Sequence, residues 1–107
     1  MPTSSASGTQ TATISTEHTL ATVATAGTFV LQVNTTNMVN GDTVELRAKV
    51  KTLTGGAEAL YMIAVYSHVQ SDPVKMSIPV PSLYSLTFTL KQTAGTGRAF
   101  EWNVVGL

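Results

Sequence analysis

The segment Gly41-Asp42-Thr43-Val44-Glu45-Leu46-Arg47-Ala48-Lys49-Val50-Lys51 is the clearest structural signal in the chain. A Gly-Asp turn opens it, and strict alternation follows. Apolar residues occupy every second position, namely Val44, Leu46, Ala48 and Val50. Charged residues occupy the positions between them, namely Glu45, Arg47, Lys49 and Lys51. Because strand side chains point alternately to two faces, this period of two predicts a strand with one buried and one solvated face.

Similar patterns on both sides of this segment predict an all-β protein. Turn-forming residues separate eight segments of strand type, at 11–15, 19–24, 28–35, 43–53, 59–69, 74–80, 82–91 and 98–107. Short strands at this spacing, joined by short links, are typical of two-sheet antiparallel proteins. We therefore predict a single-domain antiparallel β-sandwich over residues 11–107, of jelly-roll or Greek-key type, with about eight strands.

The first ten residues have a different character, because they are small and polar and offer almost no apolar surface for burial. They predict a flexible N-terminal arm over residues 1–10, either frayed or ordered against a neighbouring subunit. They also lack the basic start and apolar run of a signal peptide. No run of 18 apolar residues occurs anywhere in the chain, so we expect no contact with a membrane.

The segment 59–69 is apolar on both faces of a strand. This composition predicts one of two environments. The first is a central strand that is packed on both sides. The second is a strand with one face covered by a partner.

The overall composition excludes several classes of function. Six basic and six acidic residues give a net charge of zero, which argues against a nucleic-acid partner, since binding to phosphates requires several cations. Charged residues make up only 11% of the chain, against about 25% in an average protein. A charge-poor surface favours assembly, including a homo-oligomer. The chain has no cysteine, which excludes disulfides and thiolate chemistry.

Residues with catalytic potential are few and scattered. His18 and His68 are the only histidines, and no carboxylate stands at ligand spacing from them. No pair among the six carboxylates is marked out for acid–base catalysis. The segment 95–98, Gly-Thr-Gly-Arg, lacks the ending of a phosphate-binding loop and any helix after it. We therefore predict a protein that is not an enzyme, with no catalytic residues, cofactor or metal.

The aromatic residues leave two interpretations open. Tyr61, Tyr66, Tyr84 and Trp102 could form a platform on which sugars stack. Three of them share strand faces with Leu, Met, Phe or Val, which favours packing in the core. Tyr61 falls on the opposite face from Tyr66, so we expect it to be exposed or to meet a partner.

Four stretches of the chain resemble a known class of protein. They are Gly27–Asn34, Gly41–Arg47, Ser77–Val80 and Phe88–Trp102, and the similarity is most specific over Leu90–Trp102. Together they resemble small structural proteins of tailed-bacteriophage virions, of the capsid decoration (cement) type. The resemblance implies a protein made in the host cytoplasm that binds the major capsid protein on the capsid exterior. It implies no catalytic residue.

The candidate partner-contact residues are Glu45, Arg47, Lys49, Lys51, Tyr61 and Arg98. The charged strand face would bind a complementary capsid surface or would simply face water. Two other functions stay open. One is a tail, fibre or head–tail joining component of the virion, and the other is a carbohydrate-binding module.

Overall fold

The computed structural model describes residues 3–107, which form nine strands in two antiparallel sheets. The strands are β1 (Thr3–Thr11), β2 (Glu17–Val23), β3 (Gly27–Asn34), β4 (Thr43–Lys51), β5 (Glu58–Ser67), β6 (Val74–Met76), β7 (Val80–Ser82), β8 (Ser85–Ala94) and β9 (Ala99–Gly106). The described part of the chain contains no helix. The two sheets pack together, so the predicted all-β antiparallel sandwich is confirmed.

The strand order is that of a jelly roll. One sheet has the order β1-β9-β3-β6, with β7 also paired to β3, and the other has the order β2-β8-β4-β5. The pairs β1–β9, β2–β8, β3–β6/β7 and β4–β5 are nested. The chain therefore folds like a long two-stranded ribbon whose closed end is the loop between β4 and β5. The ribbon wraps around the core, so successive strand pairs lie in alternate sheets. This is the eight-stranded jelly-roll arrangement with one strand divided into β6 and β7.

The core lies between the inner faces of the two sheets. Its central side chains, all buried, are Phe29, Leu31, Val33, Val44, Leu46, Ala48, Leu86, Phe88, Leu90, Phe100 and Val104. They come from β3, β4, β8 and β9, the inner strands of the two sheets, and they follow the period of two along each strand. Each large apolar side chain contributes about 2 kcal/mol through burial. Because a slip of one residue would expose this whole set, the core also fixes the register.

The N-terminal segment differs most from its sequence prediction. Where a flexible arm is expected over residues 1–10, the chain forms β1, which pairs with β9 from Thr3↔Gly106 to Thr11↔Ala99. Residues 1 and 2 lie outside the described residues. The strand predicted at 11–15 is wrong, because β1 ends there and the chain turns, with Ser15 at a φ of 66°. Main-chain pairing holds β1 in place, and this needs no apolar face.

Two other strand predictions are corrected. The segment 74–80 is two short strands, because Pro79 has no N–H to donate to a ladder. The Ser77 hydroxyl accepts a hydrogen bond of 2.9 Å from the Leu31 N–H in the gap between them. The strand predicted at 82–91 begins only at Ser85, so Tyr84 lies in the preceding bend, 37% exposed, and not on the core face.

Candidate functional site

The outer face of the β2-β8-β4-β5 sheet carries five of the six predicted contact residues. Cross-strand pairing arranges this face in rows. Read from β2 to β5, three rows are Glu17-Lys91-Glu45-Val65, Thr19-Thr89-Arg47-Ile63 and Thr22-Thr87-Lys49-Leu60. The face therefore changes from mainly hydroxyl-bearing side chains, through charges on β4, to aliphatic side chains on β5.

Three of the four charges on β4 form a neutral ion-pair network with Glu17 of β2. The Arg47 guanidinium lies 2.7 Å from the Glu45 carboxylate and 3.4 Å from that of Glu17. The Lys49 ammonium lies 2.9 Å from Glu17. The structure thus gathers three of the predicted residues into one network. Lys51 stands at the end of the same face and is in no ion pair among residues 3–107.

Glu17 is the centre of this network, and the sequence gives no signal for it, because it lies 30 positions from Arg47. The Thr89 hydroxyl donates a hydrogen bond of 2.6 Å to Glu17. This bond and the one from Lys49 lower the pKa of Glu17, and they outweigh the opposing effect of burial. Glu17 is therefore anionic at neutral pH and holds the two cations of β4 in place.

Strand β5 is an edge strand, since it pairs with β4 alone. The prediction of a central strand packed on both faces is therefore wrong, while a covering partner stays a prediction. Its outward side chains are largely exposed: Leu60 by 54%, Ile63 by 47% and Val65 by 54%. Tyr61, at a register shift in the same strand, is 50% exposed. On the outer face, exposed apolar side chains of β5 thus lie beside the charged side chains of β4.

Arg98, the sixth predicted contact residue, has a structural partner elsewhere. Its Nε lies 2.8 Å from Oδ2 of Asp42, whose side chain is buried. Burial disfavours the charged form of Asp42, but hydrogen bonds from Val39 N–H, Arg98 and Thr96 N–H outweigh it and lower the pKa. The pair joins the turn before β4 to the loop before β9.

Gln92 organises the loop between β8 and β9 from inside the fold. Its buried side-chain amide donates to the carbonyls of Ala94 and Thr96, at 3.0 and 2.8 Å, and accepts from the Arg98 N–H at 3.0 Å. The segment 95–98 is thus held in place by hydrogen bonds to Gln92. Gly95 has a φ of 90°, and a Cβ on Gly97 would overlap the carbonyl oxygen of Ala12, so each glycine has a structural reason.

Both histidines hold turns. Nε2 of His18 accepts a hydrogen bond of 3.0 Å from the Thr13 N–H. Nδ1 of His68 accepts one of 2.9 Å from the Gly41 N–H. His68 lies just beyond β5 at a φ of 66°. No group of three or more potential metal-ligating side chains occurs in the described chain.

The four aromatic residues do not form one platform. Trp102, on the sheet opposite Tyr66, packs against the core, as does Tyr66. The Lys75 ammonium lies 5.1 Å from the centre of the Tyr66 ring. Tyr61 and Tyr84 are left exposed.

Two of the concave areas on the described part of the chain are open to solvent, and neither brings several ionisable groups together. A groove of about 480 Å³ at one end of the sandwich is lined by residues 22–29 and by the ends of β1 and β9, with no ionisable side chain. A shallow depression on the outer face of the other sheet is lined by Gln32, Asn34, Glu101 and Asn103, among others. Val33, Val74 and Trp102 line it as well, so the second area combines amide groups with apolar surface.

Comparison of the chain with known protein families, with curated proteins and with solved structures finds no match in any of the three. Residues 3–107 contain no helix that is long and apolar enough to cross a membrane.

The two lowered carboxyl pKa values predict a loss of stability in acid. Unfolded Asp and Glu titrate near pH 4, while Asp42 and Glu17 titrate lower in the folded state. Their contribution is therefore complete above about pH 4 and is lost as the pH falls through the folded-state values. Urea unfolding at pH 5 and at pH 2.5 should show a lower free energy of unfolding at the acid value.

The control is the double variant Asp42→Asn/Glu17→Gln, which cannot gain protons at these two positions. We expect its free energy of unfolding to be lower than that of the wild type at pH 5, and to fall by less between pH 5 and pH 2.5. An equal loss in both proteins would contradict the assignment of the two groups.

Proposed function

We propose that the protein is a structural component of a tailed-bacteriophage virion that binds and stabilises the capsid exterior as a decoration protein. The observation that carries the proposal is the outer face of the β2-β8-β4-β5 sheet. On this face, the ion-paired side chains of β4 lie beside the exposed apolar side chains of β5. It is suited to contact with another protein surface and not to the enclosure of a small molecule.

The resemblance to virion proteins supports the proposal, and the structure gives its residues a physical role. The stretches Gly41–Arg47 and Phe88–Trp102 are far apart in sequence, and they meet through the ion pair of Asp42 with Arg98. The similarity therefore concerns residues that build this scaffold. Jelly rolls occur in viral capsid and lectin domains, which is compatible with the proposal but does not assign the function.

The energetics of decoration also fit this surface. Burial of apolar area contributes about 25 cal/mol per Å². A contact of modest size is sufficient when many copies bind one particle and several contacts act together. Charges that are already paired, as Arg47 is with Glu45 and Glu17, add specificity with little net energy.

A rebinding assay tests the proposal. We expect the purified protein to saturate phage particles that lack it, at a fixed stoichiometry to the major capsid protein. Lys51→Glu, on the proposed contact face, should weaken binding several-fold, and more so at low salt. Glu101→Lys, on the outer face of the opposite sheet, is the matched control and should bind normally. A protein that is absent from purified virions and fails to bind capsids would refute the proposal.

A tail, fibre or head–tail joining position is the nearest alternative. Immunogold labelling of virions would separate it, because decoration labels the whole shell and these components label one vertex or the tail.

Carbohydrate binding is a second candidate, favoured by the depression of Gln32, Asn34, Glu101 and Asn103. Amide and carboxylate groups are suited to sugar hydroxyls. Trp102 also lines this depression, but it packs against the core and is only partly exposed, which limits its use for stacking. A glycan array that gives no signal at millimolar sensitivity would remove this candidate.

A further inference from the structure

Strand β5 has the sequence of an interior strand but lies at the edge of its sheet. Its ten residues, Glu58–Ser67, contain one charge, at the first position, and no proline. Its outward side chains are aliphatic and exposed. Within residues 3–107, no strand pairs with one side of its backbone. Sequences apolar on both faces are typical of strands with both faces covered, whereas the outward face of β5 is exposed.

The other sheet edges lack this combination. Edge strands of soluble proteins are usually short, bulged, charged or interrupted by proline, which prevents pairing with another chain. Strands β6 and β7 have three residues each, and β7 contains Pro81. Strand β2 begins with Glu17 and carries a bulge in its middle, between Thr19 and Ala21, whereas the register shift of β5 is at Tyr61 and leaves Met62–Ser67 regular. Strand β1 is long and uncharged, but its side chains are mainly small and polar, so it offers little apolar surface.

We propose that β5 is the edge through which two copies of this chain form a dimer. The two β5 strands pair antiparallel about a twofold axis, so that two four-stranded sheets become one sheet of eight strands. The axis passes beside Ala64. This register places Ile63 opposite Val65 of the second copy, and Met62 opposite Tyr66 of the second copy.

The charge pattern makes β5 compatible with a copy of itself. Like charges opposite each other destabilise an antiparallel pair. No charged residue occurs from Ala59 to Ser71, so no charge on one β5 lies opposite a charge on the other, although the Lys75 ammonium of each copy lies 5.1 Å from the centre of its Tyr66 ring. A small residue at the axis lets the backbones approach, and apolar pairs flank it on both faces of the joined sheet.

Apolar side chains lie along the whole length of the β5 edge. Leu60, Tyr61, Ile63 and Val65 together expose on the order of 400 Å², as much as the largest apolar patch on many monomers. Edge-to-edge pairing would cover the β5 backbone edge and the flanks of these side chains, while their outward faces stay in solvent. The contact is therefore smaller than the roughly 800 Å² per partner of a standard interface, and a concentration-dependent dimer is expected. The inference is independent of the virion proposal, since it concerns the purified protein alone.

Sedimentation equilibrium over a concentration series tests the dimer. We expect the wild type to dimerise reversibly. The variant Ile63→Lys/Val65→Lys should raise the dissociation constant at least a hundredfold, because it places four cations together at the joined edge. Ser7→Lys/Thr9→Lys, with the same spacing on exposed positions of the β1 edge, is the matched control and should dimerise like the wild type. A wild type monomeric up to millimolar concentration, or a dimer disrupted only by the β1 variant, would overturn the proposal.

Disulfide trapping tests the register. Directly opposed residues in an antiparallel pair have Cα atoms about 4.5–5.5 Å apart, within the range that a disulfide spans. The chain has no cysteine of its own, so Ala64→Cys introduces a single thiol. Mild oxidation should convert it to a covalent dimer faster than Ser7→Cys at the same concentration. Equal rates for the two variants would overturn pairing about Ala64.

Discussion

Gly95→Ala is expected to destabilise the fold by about 4 kcal/mol or more, through strain combined with disruption of a buried ion pair. Gly95 has a φ of +90°, a conformation that costs an L-residue roughly 1–2 kcal/mol. A Cβ at this position would also overlap the carboxylate of Asp42. Asp42 would have to move, and its contact with Arg98 would be lost in an environment where an unpaired charge is costly.

Gly41→Ala is the matched control, because it separates the two effects. Gly41 has a φ of +101°, but a Cβ there would meet no atom within 4 Å. We expect Gly41→Ala to cost only the backbone term, about 1–2 kcal/mol. Urea denaturation of the two variants measures the difference. Equal losses would contradict the proposed overlap with Asp42.

The double variant Gly95→Ala/Asp42→Ala tests the same contact from the other side. If the carboxylate causes the damage, Gly95→Ala should cost much less in the Asp42→Ala background than in the wild type. Coupling of this kind is expected of residues in contact and absent from independent sites.

Hydrophobic alternation was sufficient to predict the strands that build the core. Strands β3, β4 and β8 each bury one apolar set, and in each the period of two is visible in the sequence. Strand β1 was not predictable in this way. Its segment, Thr3–Thr11, has no apolar face. It is held as a strand by main-chain hydrogen bonds to β9, which lies at the other end of the sequence.

The candidate site was predictable only in part, for a related reason. Glu45, Arg47 and Lys49 share a face because they share one strand. The side chains that pair with such residues lie on other elements of the fold. Glu17 reaches Arg47 across 30 positions, and Asp42 reaches Arg98 across 56, so both contacts depend on the topology. The edge position of β5 likewise follows from strand order, which the composition of a strand does not contain.

Leu46→Asp is expected to prevent folding, whereas Ile63→Asp should leave the monomer folded. The two residues lie on neighbouring strands and differ in the face they occupy. Leu46 is 5% exposed and belongs to the core, so its aspartate would be an unpaired charge without water, which costs more than about 4 kcal/mol. Ile63 is 47% exposed and lies opposite Arg47 across the ladder, so its aspartate would be hydrated and would have a cation as neighbour.

Circular dichroism and urea denaturation of dilute protein, where each variant is monomeric, measure the contrast. We expect Leu46→Asp to lack a cooperative transition and Ile63→Asp to unfold within about 1 kcal/mol of the wild type. The same substitution on the two faces therefore tests the strand register directly. An unfolded Ile63→Asp beside a folded Leu46→Asp would mean that β4 and β5 present the opposite faces to the core, since a shift of one residue exchanges the two sets.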